Sequence, residues 1–357
     1  MEKGGELTFL DGNFAPVEGP VEEYGSAVWS ERYFEPGSFT LRMPRSLLRR
    51  VSRAMYVRCG GEDGGILCGR IEYRGAEEAG ACEIGGRLLG ALLEDRVIAE
   101  IPALPADTDA AEAVLSAAEA NLRGMGILVD RENSVTLGSP ASPAGRWDNL
   151  GAWCYAALKP YGAAPEIRLR PMGENGALVP VLRVIRGVDR SAEGNAGRVV
   201  FSKSFGNILS VSFERDGSRM KNAVYVEGAD GTVVLADQSG GAGRRETYKK
   251  ASDIAPTKYE NETAYRAALM RRGEELLAGR AEVLCVSAES DTGALPVWGR
   301  DYRLGDVCDV ADEEIGVSFA VRLTGVDHVW EGGGAMRVPI FGEEARLLRR
   351  LTEEERM

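Results

Sequence analysis

Short runs of β-branched and aromatic residues, cut off by Gly, Pro and Asp, open and close this chain, and that punctuation constrains its fold more than any other feature. Residues 24–34, 38–43, 54–59 and 65–74 each read as a strand. Pro36-Gly37 marks a turn between the first two, because Pro presets the backbone angle and Gly accepts positive φ. Residues 86–96 then place Leu88, Leu89, Leu92 and Leu93 on one helical face. This first block reads as a small barrel or sandwich with a plug helix.

The pattern changes after Pro102 and Pro105. Asp109 with Glu112 makes a capping pair, and Val114, Leu115, Ala118 and Leu122 follow at helical spacing. A second helix is expected over 147–159, with Leu150, Trp153, Cys154, Ala157 and Leu158 on its apolar face and Pro160-Tyr161-Gly162 as its stop. Strand-like segments at 127–129, 167–169 and 181–185 make this block α+β. Strands return after Asn195: Leu209, Val211 and Phe213 alternate with polar neighbours, and 222–227 and 232–236 form a hairpin about Asp230-Gly231. One helix interrupts at about 262–278, with Tyr265, Ala268, Leu269, Leu276 and Leu277 as its stripe and Gly279 placed to end it. Strands are expected again at 282–288, 307–310, 317–329 and 336–341.

The expected fold class is therefore α+β, mainly β, with two small β-barrel-like domains flanking an α+β middle domain. Their bounds are 1–105, 106–190 and 191–342, and a charged helical tail covers 343–357. A chain of 357 residues exceeds what one core organises, which fits several units.

Charge and apolar content exclude several functions. A net charge of -12 opposes stable binding to nucleic acid or an anionic membrane. Apolar runs such as Ile66-Leu67-Cys68 and Val199-Val200-Phe201 are too short to span a bilayer, and the first residues lack the apolar core of a signal peptide. The six cysteines, Cys59, Cys68, Cys82, Cys154, Cys285 and Cys308, have no metal or redox spacing and read as buried thiols formed in a reducing compartment.

No catalytic constellation is complete. The lone histidine, His328, sits in an alternating strand with Val326 and Trp330, so no second histidine can join it in a metal site or triad. Ser218 and Lys221 have the Ser-x-x-Lys spacing of acyl enzymes without its companion motifs, and Asn222 leads into a strand. The acidic run Asp306, Asp309, Asp312, Glu313 and Glu314 lacks the spaced loop and central Gly of a calcium site. Residues 239–243, followed by Arg244-Arg245, lack the Lys-Ser/Thr of a phosphate loop. Trp29, Trp147, Trp153, Trp298 and Trp330 are dispersed, which suits packing better than a sugar platform. Glu31, Arg32, Tyr33 and Glu35 could pair in a buried or interfacial site or lie on an exposed strand face. No catalytic, cofactor or metal residue is expected, and replacing His328 or Ser218 with Ala is expected to leave assembly intact.

Four segments, in order, resemble the baseplate hub family of siphophage tails, related to spike-hub proteins of contractile tails and type VI secretion. They are residues 29–39 (Trp29 to Phe39), 86–98 (Gly86 to Ile98), the set Gly187-Val188-Asp189-Arg190-Ser191, Val200-Phe201-Ser202, Phe205-Gly206-Asn207-Ile208 and Lys221-Asn222, and Asp301 to Val307 with Phe341-Gly342. The stretch 124–145 departs from the family pattern. The resemblance implies a structural protein without catalytic residues, two barrel domains side by side, and a trimer with pseudo-sixfold symmetry joining the tail tube to the tip. It further implies distal-tail, tube and tape-measure partners and a place in the virion tail, assembled in the bacterial host cytoplasm. The alternatives are a cell-wall hydrolase, for which the chain leaves about fifteen residues after Phe341-Gly342, and a carbohydrate- or receptor-binding tip protein. In a hub ring, part of the acidity is expected to line the lumen through which DNA passes, with Arg45, Arg49, Arg50, Arg244 and Arg245 facing partner subunits.

Overall fold

The computed structural model describes residues 5–60, 66–76, 80–105, 107–140, 145–173, 176–240, 243–280, 283–289, 295–314, 316–332 and 334–342, with backbone only at 66, 210–215 and 283–289. The described chain is mainly β and divides into two compact units, Met1–Ser212 with Val286–Gly342, and Phe213–Cys285.

In the first unit the chain forms β1 (Leu7–Leu10), β2 (Pro16–Val21), β3 (Ser26–Arg32), β4 (Ser38–Pro44), the short helix α1 (Arg45–Arg50), β5 (Tyr56–Gly60), β6 (Ile66–Ala76) and β7 (Ala81–Leu88). A 3-10 turn over Leu89–Asp95, α2 (Ala110–Asn121), β8 (Leu128–Val129), α3 (Leu150–Leu158), β9 (Ala163–Met172), β10 (Ala177–Arg186) and β11 (Val200–Ser202) follow. The chain then runs through β12 (Ser210–Asp216) into the second unit's β13 (Ala223–Gly228), β14 (Val233–Asp237), β15 (Glu246–Ala251) and α4 (Glu262–Ala278). It returns through β16 (Val283–Glu289) to β17 (Val307–Asp312), β18 (Val317–Glu331) and β19 (Gly334–Gly342).

The two ends of the chain share one sheet. Its order runs β19-β18-β3-β4-β7-β6-β5-β1-β2, and β17 joins β18 while β11 joins β17. Among the described residues no closed barrel forms, and the strands expected as two separate barrel-like domains are joined through β3 and β18. The reason lies in one inward row. Ala27 and Trp29 of β3 stand opposite Leu41 and Phe39 of β4 on one side and Trp330 and His328 of β18 on the other. β4 alone would leave β3 with an unpaired edge, and β18 is long enough to pair β17 with its first half and β3 with its second.

The middle block packs on this sheet as α2, α3 and the small sheet β8-β10-β9. The side chain of Asp109 accepts the Ala111 amide at 2.9 Å, whereas Glu112 turns outward to Arg131 at 3.1 Å and so does not close a capping box. The second helix starts at Leu150, three residues later than periodicity suggests, because Asn149 caps it and Trp147 has φ 74°. The plug segment tightens into the 3-10 turn, whose Leu89, Leu92 and Leu93 share a core with Leu10, Val114, Leu150 and Leu182.

The second unit is a three-stranded sheet, order β14-β13-β15, covered on one face by α4. Asp230-Gly231 turns the β13–β14 hairpin, while β15, absent from the sequence reading, pairs in parallel with β13. Gly273 lets α4 lie close: a Cβ there would stand 2.7 Å from that of Ala236 and 3.2 Å from methyls of Val224 and Val226. We expect Gly273→Val to overpack this contact and destabilise the unit by about 1–3 kcal/mol. Hydrogen exchange should then accelerate at the Val224 and Val226 amides, and unchanged exchange would show that the close approach is not needed.

Candidate functional site

The densest polar constellation of the first unit gathers at the end of β3. By alternation Glu31 points inward after Ala27 and Trp29, so a carboxylate occupies a core position, 4% exposed. An unpaired charge there would be costly. Glu31 is paired twice, with Arg168 of β9 at 2.6 Å and with His328 Nε2 of β18 at 3.0 Å. Arg168 also reaches Glu166 at 3.2 Å, and Glu166 binds Arg183 of β10 at 2.6 Å. Arg337 Nε donates to His328 Nδ1 at 3.3 Å, which fixes the tautomer: Nε2 carries the proton and donates it to Glu31. Both ring nitrogens are engaged. Burial drives the Glu31 carboxyl upward, but the Arg168 charge and the His328 hydrogen bond outweigh it and hold it at about 2.

Two residues on, Tyr33 is fully buried. Its hydroxyl lies 3.0 Å from the Gly162 carbonyl and 3.2 Å from that of Ile185, and accepts the Gly187 amide at 3.1 Å. Its ring rests on Gly305, where φ is 93° and a Cβ would come within 2.4 Å of the ring, so only glycine satisfies both constraints. Next in sequence, buried Asp306 accepts the Val188 amide at 2.8 Å, Arg190 Nε at 2.7 Å and the Arg303 amide at 3.0 Å. Buried Asp309 likewise accepts the Ala192 amide at 3.0 Å and Arg198 at 2.8 Å. The acidic run is thus a set of clasps for residues 188–198, and Glu313 binds Ser202 and Ser204. Among the described residues no group of three or more His, Cys, Asp or Glu could hold a metal ion.

Glu31, Glu166 and Arg168 line a cleft of about 60 Å³ together with Tyr155, Cys68 and Leu89. Glu31 and Glu166 are matched by guanidinium groups, and burial pushes the Cys68 thiol and the Tyr155 phenol up, which keeps both protonated and unreactive. The other thiols with described side chains, Cys59, Cys82, Cys154 and Cys308, are also free and buried; burial pushes Cys59, Cys154 and Cys308 up to about 12. The side chain of Cys285 lies outside the described residues.

The remaining sequence candidates are dispersed. Ser218 lies in a turn and Lys221 just after it, neither on a helix, so the Ser-x-x-Lys spacing brings no lysine over the serine by a helical turn. In the 239–243 loop the Ser239 amide bonds Asp237 at 2.9 Å, residues 241–242 lie outside the described ones, and Arg244 is engaged by Asp237 and Glu246. Arg50 pairs with Glu18 at 2.6 Å. Phe205-Gly206-Asn207 is a corner in which buried Asn207 accepts the Ser202 amide at 2.9 Å and donates to the Val200 carbonyl at 2.8 Å. Beyond it Ile208 is buried and Leu209 exposed, and the side chains of Val211 and Phe213 lie outside the described ones. Trp29 is a core residue, Trp298 and Trp330 flank His328, and Trp153 packs on the core, whereas Trp147 is 65% exposed. The charged tail 343–357 lies outside the described residues.

His328 is a structural partner of a buried carboxylate, and His328→Ala would remove a hydrogen bond from Glu31. The role of Arg168 and Arg183 escaped the sequence, since nothing local couples β9 to β3; the one hint was that Glu31 falls on the apolar phase of its strand.

The chain belongs to the siphovirus ReqiPepy6 Gp37-like protein family, whose sequence model matches residues 6–343. Its fold is similar to that of the tail protein from Neisseria meningitidis MC58, with 16% identity and a TM-score of 0.58 over 96% of this chain and 97% of that one. It is also similar to the 43 kDa tail protein of prophage MuSo2 from Shewanella oneidensis, at 12% identity and a TM-score of 0.60 over 94% and 98% of the two chains. The prophage tail protein gp18 from Listeria monocytogenes EGD-e shares it at 13% identity and a TM-score of 0.54 over 95% and 94%. No curated protein matches the chain in sequence.

Glu31 has its carboxyl at about 2 in the fold against an ordinary 4.5. A depressed carboxyl contributes stability that is complete above the ordinary value and is lost as pH falls from there toward 2. Glu31→Gln should therefore lower stability at pH 7 by about 3–5 kcal/mol and flatten this acid limb in circular-dichroism unfolding titrations. An acid limb of undiminished steepness in the variant would show that Glu31 is not the group responsible.

Proposed function

We propose that this chain is a structural subunit of the tail of a phage or phage-like particle, the baseplate hub that joins the tail tube to the tip. The observation that carries the reading is agreement along nearly the whole chain, in family over residues 6–343 and in fold with three tail proteins, two of them from prophages. The architecture supports it physically. The polar groups of the β3 junction are engaged with one another, which suits a rigid scaffold and leaves its cleft without a free nucleophile or base.

In this reading three copies close into a ring through head-to-tail contacts. The neighbours are the distal tail protein, the tube and the tape-measure subunits. The excess of acidic residues keeps the lumen from holding DNA as it leaves. Among the described residues no helix is long and apolar enough to cross a membrane.

Reconstruction of tails containing the chain tests the proposal. Three copies per ring are expected, and six copies, or one off the axis, would refute it. Ser218→Ala should leave particle assembly and any clearing of cell wall unchanged; a folded variant that loses clearing would return the chain to the hydrolases.

A further inference from the structure

The cleft beside the β3 junction holds polar groups that the junction does not use. Tyr155 of α3 is 8% exposed, yet its hydroxyl has no hydrogen-bond partner among the described residues. A buried phenol usually finds one, because its proton otherwise loses hydration without compensation. The hydroxyl end faces the cleft. It lies over Gly90, where a Cβ would stand 2.5 Å from the oxygen, and Gly90 lines the same space. Two of the carboxylates whose charge reaches the phenol, Glu35 and Glu166, line it as well, and neither is hydrogen-bonded to it.

A second donor is left over on Arg168. It gives Nη2 to Glu31 at 2.6 Å and Nε to Glu166 at 3.2 Å, and its Nη1 has no acceptor among the described residues. Acceptor capacity remains too. Glu31 takes one hydrogen bond at each oxygen, from His328 and Arg168, and Glu166 takes one at each, from Arg168 and Arg183. A carboxylate offers about four lone-pair sites, so each can accept more.

The walls select the occupant. An anion would meet three carboxylates, Glu31, Glu35 and Glu166. A metal ion would have to displace the guanidinium and imidazole donors that hold Glu31 and Glu166, and among the described residues no side-chain group could ligate one. An apolar group would leave the phenol and the guanidinium unsatisfied. What fits is a small neutral molecule that both donates and accepts. The space is about 60 Å³, and a water needs roughly 10–15 Å³ of it, so about four can enter.

We infer that the cleft is a hydration site, in which a cluster of ordered waters accepts from Tyr155 Oη and Arg168 Nη1 and donates to Glu31 and Glu166. The cluster links α3 to β9 and β3 through solvent, where no direct hydrogen bond joins the Tyr155 side chain to either strand. Buried waters of this kind make about three hydrogen bonds each and belong to the fold. The site is built within one copy and stands apart from the hub reading.

Crystallography of the full chain, at a resolution that shows ordered solvent, tests the site together with Tyr155→Phe. Discrete waters are expected within hydrogen-bonding distance of Tyr155 Oη and Arg168 Nη1 in the natural chain. The variant keeps the ring and its packing, so it should lose the water on the hydroxyl and retain the one on Arg168. In solution, magnetic relaxation dispersion of water counts molecules held longer than the protein tumbles, and it should find at least one fewer in Tyr155→Phe. A metal ion, an anion or another solute in the cleft would overturn the inference. So would a dry cleft, a direct bond from Tyr155 to a protein carboxylate, or an unchanged water count in the variant.

Discussion

Buried polar pairing at the end of β3 is the constraint on which the first unit depends. A core carboxylate at Glu31 and a core phenol at Tyr33 are tolerable only if partners arrive from elsewhere in the chain, because each would otherwise lose its hydration without compensation. The partners come from β9, from the residues after β10, from the corner before β17 and from β18, so one stretch of three residues ties the N-terminal strands to the middle block and to the C-terminal strands. Gly305 and Asp306 complete the clasp, one by giving way to the Tyr33 ring and the other by gathering two amides and Arg190.

This arrangement also engages the most chemical-looking residues. His328, the acidic residues before and within β17 and the cleft carboxylates are all bound to neighbours that neutralise or orient them. A catalytic site keeps at least one group poised toward an open space that substrate will fill.

Much of the fold was legible because local physics set it. The hairpin at Asp230-Gly231, the α4 helix and strands β3, β4, β5, β6 and β18 follow from turn chemistry and periodicity alone. What escaped depends on distant partners. β7 carries Gly85 and Gly86 and lacks a strong strand composition, and β15 reads Glu-Thr-Tyr-Lys-Lys-Ala, nearly all polar; both are strands because a neighbour offers an edge. The joining of the two chain ends through β3 and β18 was likewise invisible, since residues 26–32 and 325–331 meet only once the whole chain has folded. At the site, the sequence marks Asp306 only as a member of an acidic run, and its service to Val188 and Arg190 required the structure.

If the junction makes the first unit one cooperative body, its amides should open only when that body unfolds. Native-state hydrogen exchange at Gly187, Val188, Gly305 and Leu323, read against the core amides of β3 and β18, measures this directly. Equal opening free energies for both sets are expected. Exchange of the Gly187, Val188 and Gly305 amides through a separate opening of much lower free energy would show that the three parts of the unit are merely adjacent, and would contradict the central role given to the Glu31–Tyr33–Asp306 junction.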